Sequence, residues 1–168
     1  DDREYRIRLM EAVRQLTAAQ RPYISCGGGV IRAKAAPLVQ ELARRLDCGV
    51  GATLMGLSAM PGEDPRFLGM QGLHGHYAAA MAQREADLIL VAGARFSDRA
   101  VGEHANFAPD AKILHIDIDG SLGQHAGGLL EGSGRQEGVV GQSSLVLLAA
   151  VDEGIIDTPG HMDFIAEV

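Results

Sequence analysis

The stretch Asp87-Leu-Ile-Leu-Val-Ala-Gly, taken together with Lys-Ile-Leu-His-Ile-Asp at 112–117, constrains this chain more than any other feature. Five consecutive apolar residues stopped by a glycine leave no polar face. A strand of that kind must be covered on both sides, which is the situation of a parallel sheet whose crossover helices supply the cover. The question is therefore whether the rest of the chain provides such crossovers.

It does. Residues Arg3–Gln20 predict a helix in which Ile7, Met10, Val13 and Leu16 recur every three positions as a one-sided core stripe, ended by Gln20-Arg21-Pro22. Pro22–Cys26 reads as a short strand forced into a tight turn at Gly27, Gly28 and Gly29. A helix over Ala33–Leu46 places Leu38, Leu42 and Leu46 on one face and closes at Asp47. Residues 49–56 form the next strand and its exit, followed by a loop with two prolines at 57–65. Another apolar run, 66–71, enters a glycine-rich turn, and 77–86 has the Ala, Met and Gln content of a helix. Strand and helix alternate at the spacing of βαβ units. The expected fold is thus α/β: a Rossmann-like, doubly wound, mostly parallel sheet with helices on both faces. Gly120–Gly141, with eight of the chain's 22 glycines, reads as a long, mobile loop before a last strand and helix at 139–151.

Composition limits the partners. At 168 residues the chain matches one domain, with a core expected over 20–151, and 46% apolar against 22% charged residues is the balance of a globular protein. No apolar run approaches the ~20 residues of a membrane helix. A formal charge of -7 argues against a nucleic-acid partner, which needs clustered Lys and Arg. Cys26 and Cys48 lie in neither a CxxC nor a zinc-knuckle spacing, so a reducing cytoplasm is the expected location. The start at Asp1, without an initiator Met or a signal pattern, leads us to expect a piece of a longer protein.

Open parallel sheets bind ligands outside the carboxyl ends of their strands. The residues just after each apolar run are Gly27-Gly28-Gly29, Thr53-Leu54-Met55-Gly56, Gly72-Leu73-His74-Gly75, Gly93-Ala94-Arg95 with Ser97, Asp98 and Arg99, and Asp117-Ile118-Asp119. Glycine lets a backbone approach a ligand and offer N–H groups to phosphate, although each glycine here could equally just end a strand. The series is not the GxGxxG fingerprint of an ordinary dinucleotide dehydrogenase. Arg95 and Arg99 could grip phosphate or stack on a flat ring, or else pair with Asp98, Glu103 or the acidic loop. Asp117 and Asp119, two apart at a strand end, could accept from ribose hydroxyls or else serve as a helix cap or an exposed turn. His74 and His76 lack a third metal ligand at a convincing spacing, and His115, inside a strand, is expected to be a hydrogen-bonded core residue. No self-contained catalytic constellation is present.

Taken in order, RPYISCGGGVI, TLMGLSAMPGEDPRFLGMQGLHGHYAA, ADLILVAGARFSDRAVG, NFAPDAKILHIDID and VVGQSSLVLL resemble the central domain of the acetohydroxyacid synthase (acetolactate synthase) catalytic subunit, a thiamine-diphosphate enzyme. The resemblance runs from about Gln20 to Asp119, with a weaker tail to Val151. It implies a single central domain, 1–168, of a three-domain protein, binding FAD that is not used for net redox chemistry. By the same resemblance, thiamine diphosphate and Mg²⁺ sit between the outer domains of paired subunits, not on this chain. A homo-oligomer and a regulatory subunit are further implied partners. The positions matching flavin contacts are Gly28, Gly29, Thr53, Leu54, Met55, Gly72, Leu73, His74, Gly93, Ala94, Arg95, Arg99, Val101, Asp117 and Ile118. Ser97 and Gln142 stand where the family carries aspartate, and Gly120 where it carries proline. These departures bear on FAD affinity more than on fold. The family's catalytic glutamate and GDG motif are absent, so this chain alone is expected to catalyse nothing. A sister carboligase, such as glyoxylate carboligase or sulfoacetaldehyde acetyltransferase, and a free-standing nucleotide-binding module remain the alternatives.

Overall fold

A computed structural model describes residues 2–94, 111–117 and 136–141. Its strands are β1 (Pro22–Cys26), β2 (Gly49–Ala52), β3 (Phe67–Met70), β4 (Leu88–Ala92), β5 (Lys112–Asp117) and β6 (Gln136–Gly141). Its α-helices are α1 (Asp2–Ala18), α2 (Gly28–Arg32), α3 (Ala36–Leu46) and α4 (Tyr77–Glu85), with a 3-10 turn at Leu54–Ala59. The six strands lie in the order β3-β2-β1-β4-β5-β6. Every neighbouring pair is parallel, so all strand carboxyl ends share one edge. The order reverses between β1 and β4, the switch point of a doubly wound sheet.

Strand alternation divides the core in two. Ile24, Cys26, Val50, Ala52, Leu88, Leu90, Ala92, Leu114 and Ile116 pack on one face with Ala12 and Leu16 of α1 and Val39 and Leu42 of α3. Tyr23, Ile89, Val91 and Ile113 point to the other, against Ala82 of α4 and Ala86 just beyond it. All five β4 residues are buried, as the apolar run demands. The two β-strand faces therefore each meet helix, and the expected class is the observed one.

Local chemistry sets the element ends. Asp47 closes α3 at φ 48°, a left-handed conformation that aspartate tolerates, and the N–H groups of Asp47 and Cys48 reach the Arg44 and Ala43 carbonyls at 3.3 and 3.2 Å. On the same helix Arg44 and Arg45 hydrogen-bond to the Glu41 carboxylate and hold it near pKa 2, well below the usual range. Asp87 ties two strand starts together by accepting from the Gln20 and Arg21 N–H groups at 2.7 and 2.8 Å.

Four expectations need correction. The α1 stripe is not one-sided: Ile7 and Met10 are 59% and 73% exposed, while Leu16 is buried and Val13 half-buried. Each three-residue step falls about 60° short of a full turn, so three steps carry Leu16 to the opposite side from Ile7. Ala12, at four residues from Leu16, completes the true face. The second helix is also not one element from Ala33 to Leu46. A separate turn, α2, begins directly at Gly28, and α3 starts only at Ala36, with Pro37 in its first turn. The exit of β2 coils into a 3-10 turn whose end Gln40 anchors by donating to the Ala59 carbonyl at 2.8 Å. Finally, β6 begins at Gln136, inside the glycine-rich stretch, because a backbone ladder against β5 needs no side-chain pattern. Residues 120–135 and the last helix lie outside the described residues.

At the switch point the strands close backbone against backbone. Gly27 and Gly29 donate their N–H groups to the Ala92 and Gly93 carbonyls, each at 2.9 Å. A Cβ on Gly27 would overlap the Gly93 oxygen, and one on Gly29 would fall 2.7 Å from the Gly93 Cα. Gly93 itself holds φ +58°. Gly29→Ala is therefore expected to destabilise by about 3 kcal/mol or more, since backbone has nowhere to relax. Gly62→Ala, where a Cβ would meet nothing within 4 Å, should stay within about 0.5 kcal/mol. Urea unfolding of the two variants makes the comparison.

Candidate ligand site at the carboxyl edge

The parallel sheet puts the described members of the expected set, from Gly28 to Ala94 with Asp117, at or after strand ends on one edge. Thr53 follows β2 and donates its N–H to the Cys26 carbonyl at 2.8 Å, which joins the exits of β1 and β2. Leu54 and Met55 then stand 70% and 69% exposed, although both are large and apolar. Gly28, at the start of α2, lies beneath them: a Cβ there would come 3.0 Å from that of Met55.

The exit of β3 is a compact turn. Gln71 donates its N–H to the Ala52 carbonyl at 2.9 Å, and Gly72 follows at φ +103°. Gly75 and His76 then turn back, donating to Gly72 and Met70 at 2.9 and 2.7 Å. The turn leaves Leu73 64% exposed with His74 exposed beside it. Tyr77, which the motif reading passed over, opens α4 at 79% exposure and adds an aromatic ring to this side of the edge. Its position directly after the HGH turn was the available signal.

The exits of β4 and β5 are partly described. Ala94 is buried, and its carbonyl accepts a 3.0 Å hydrogen bond from His115 Nε2. His115 is thus the hydrogen-bonded core residue its strand position implied. Asp117 ends β5 on the same edge. Arg95, Arg99, Val101 and Ile118 lie outside the described residues, as do Ser97 and Gln142.

Two of the three glycines in the run 27–29 spend their N–H groups on backbone pairing. The N–H groups of Gly27, Gly29 and Val30 are all committed to carbonyls, those of Ala92, Gly93 and Gly27. Gly93 N–H is likewise committed, to Ile116. The glycines at 27, 29 and 93 are required by packing, whatever the rim binds.

Cys26 and Cys48 are buried free thiols. Burial is the main cause that pushes both up to about 12, and the neighbouring Arg66 only partly offsets it at Cys48. Neither is placed to act as a nucleophile at neutral pH. Among the described residues no cluster of three or more His, Cys, Asp or Glu could hold a metal ion, and no helix is long and apolar enough to cross a membrane.

This is the class of structure that the switch-point rule describes: an all-parallel, doubly wound domain whose carboxyl rim is shaped by glycines and carries exposed Leu54, Met55 and Leu73. Residues 9–126 match the model of the thiamine pyrophosphate enzyme central domain, and the chain belongs to that family. Over 111 residues it is 45% identical to the acetolactate synthase isozyme 1 large subunit of Escherichia coli, covering 66% of this chain and 19% of that protein. The acetolactate synthase large subunit of Haemophilus influenzae is 42% identical over the same length, with the same coverage. A probable acetolactate synthase large subunit of Methanocaldococcus jannaschii is 42% identical over 113 residues. The chain thus spans about a fifth of the length of the curated relatives it matches. Among solved structures, a Mycobacterium smegmatis chain classed as a thiamin diphosphate-dependent enzyme superposes with a TM-score of 0.63 over 90% of this chain and 28% of that one. At 24% identity it supports the fold.

The buried thiols carry a pH consequence. Their folded-state pKa lies above the ordinary thiol value of 9, so the stability they contribute is full below pH 9 and is lost as pH rises toward 12. Burial raises the Tyr23 phenol still further, in the same direction. Equilibrium unfolding should therefore show a decline between pH 9 and 12. A thiol reagent at pH 8 should label neither cysteine until denaturant is added.

Proposed function

We propose that this chain is the FAD-site central domain of an acetolactate-synthase-like enzyme. Its rim would hold the flavin cofactor in an extended pose, as a structural and not a redox group. The observation that carries the reading is the exposure of Leu54, Met55 and Leu73 on the edge where doubly wound folds bind nucleotides. Large apolar side chains held in water on a rim fixed by glycines mark an interaction surface. Similarity to acetolactate synthase large subunits supports the choice of ligand.

The residues fit such a group. Leu54, Met55 and Leu73 offer apolar surface to a flat ring system, and Gly28 and Gly72 keep the floor low. Thr53 and His74 supply polar atoms at the margin. Gly29, Gly93 and Ala94 shape the wall between β1 and β4. Asp117 stands at the β5 end, where an acid can accept from ribose hydroxyls. Arg95 and Arg99, with Val101 and Ile118, complete the proposed set from sequence and would neutralise the diphosphate.

In the longer protein, the flanking domains would hold thiamine diphosphate and Mg²⁺, which when bound supply the electron sink for decarboxylating pyruvate. The product of joining two 2-oxo acids, 2-acetolactate, would enter branched-chain amino-acid synthesis in the cytoplasm. This chain's part is to bind and to orient: its sheet fixes the flavin rim and offers surfaces to the outer domains, a second copy and a regulatory subunit. The chain alone would turn over no pyruvate.

Titration with FAD, followed by flavin fluorescence, should show saturable one-to-one binding. Absence of saturation would sink the flavin reading. Leu73→Asp should weaken binding about tenfold or more, the scale set by losing a buried apolar side chain at about 1.5–3 kcal/mol. Because Leu73 is exposed, the far-ultraviolet circular dichroism of that variant should match the parent.

A further inference from the structure

A buried polar chain lies on the α4 side of the sheet, apart from the exposed rim. Tyr23 Oη donates to Gln71 Oε1 at 2.8 Å, and Gln71 Nε2 donates to Ser25 Oγ at 2.5 Å. All three residues are buried. Tyr23 and Ser25 are two apart on β1 and so share a face, while Gln71 is the first residue past the end of β3 and leads into the Gly72-Leu73-His74 turn. The room for the contact comes from β2, where a Cβ on Gly51 would overlap the Tyr23 hydroxyl and approach Gln71 Oε1 to 2.8 Å. Residues from β1, β2 and the end of β3 thus have to agree for this one network to exist.

We propose that the Tyr23–Gln71–Ser25 chain is a positioning device that sets the height and orientation of the Gly72-Leu73-His74 turn above the sheet. Gln71 is gripped twice, by its backbone N–H on Ala52 of β2 and by its carboxamide on β1. The turn then folds back on Gln71 itself: a Cβ on Gly75 would lie 2.7 Å from the Gln71 carbonyl carbon. Wherever Gln71 is fixed, Leu73 and His74 are fixed with it. Burial of the Tyr23 phenol keeps it protonated, so it remains a donor.

The net contribution of such a network to stability is small, because water would have satisfied the same groups in the unfolded chain. Its distinguishing property is direction. A leucine at 71 facing a phenylalanine at 23 would fill the space with no preferred height, whereas the paired amide has one geometry. Positioning and stability are therefore separable. The proposal relies on the flavin reading only for the identity of the ligand that the turn meets.

The test compares the full chain with the double variant Tyr23→Phe/Gln71→Leu, which removes both hydrogen bonds of the network and leaves the rotatable Ser25 hydroxyl as its one polar member. Hydrogen exchange should accelerate about tenfold at the Gly75 and His76 amides and stay unchanged over Leu88–Ala92, with a melting temperature within a few degrees of the parent. FAD affinity should fall about fivefold. Unchanged exchange at Gly75 and His76, or an equal rise across Leu88–Ala92, would overturn the proposal. If the double variant does not fold, Ser25→Ala removes one bond only and should accelerate the same two amides about threefold; no acceleration would again overturn it. A parent chain that binds no FAD defeats the flavin reading alone, and the exchange comparison still decides this one.

Discussion

The contact on which the rest depends is the closure of Gly27 and Gly29 against Gly93. Here β1 and β4 meet at the reversal of strand order, and two main chains approach with no side chain between them. That closeness lets Gly27 and Gly29 donate to Ala92 and Gly93, extending the β1–β4 ladder past the last strand residues. Helix α2 can then start at once, and the exit of β2 can lie over it, with Gly56 tucked against the Cys26 carbonyl. A side chain at any of these positions would push α2 and the 3-10 turn outward and pull Leu54 and Met55 away from Gly28.

This closure changes what the glycines mean. In a dinucleotide fold of the usual kind, glycines at the first turn leave N–H groups free for a diphosphate at a helix start. In this domain those N–H groups are largely spent on the neighbouring strand. The surface we propose for the ligand lies further out, on the exposed apolar side chains at the exits of β2 and β3. A cofactor held by such a surface is held chiefly by shape and apolar contact. That suits a structural role better than one in which the protein must tune a phosphate or a ring nitrogen.

The sheet was legible in the sequence because a strand covered on both faces cannot hide its pattern. Leu88–Ala92 is apolar throughout, and burial is complete along it. The rim was legible for the same reason: once the strands are parallel, the residues after each apolar run must share an edge. What could not be read depends on exact angles and on backbone partners. The α1 stripe failed because spacing by three drifts around the cylinder, and only the four-residue step from Ala12 to Leu16 stays on one side. The start of β6 was hidden because its pairing with β5 runs through main-chain atoms. The packing role of Gly27 and Gly29 was hidden because their partner, Gly93, lies more than sixty residues away.

The buried polar chain was invisible for a related reason, and it shows how the two faces of the sheet divide their work. The face toward α1 and α3 is apolar in its core, and its packing is interchangeable within volume limits. The face toward α4 carries Tyr23, Ser25, Gln71 and His115, each buried, with directional bonds to fixed partners. Gln71 leads into the Leu73 turn, and His115 holds the Ala94 carbonyl at the exit of β4. Both bonds end on segments that leave the carboxyl edge. Apolar packing on one side supplies cohesion, and hydrogen bonds on the other specify where the loops stand, so tolerance to substitution should differ between the two faces even at equal burial.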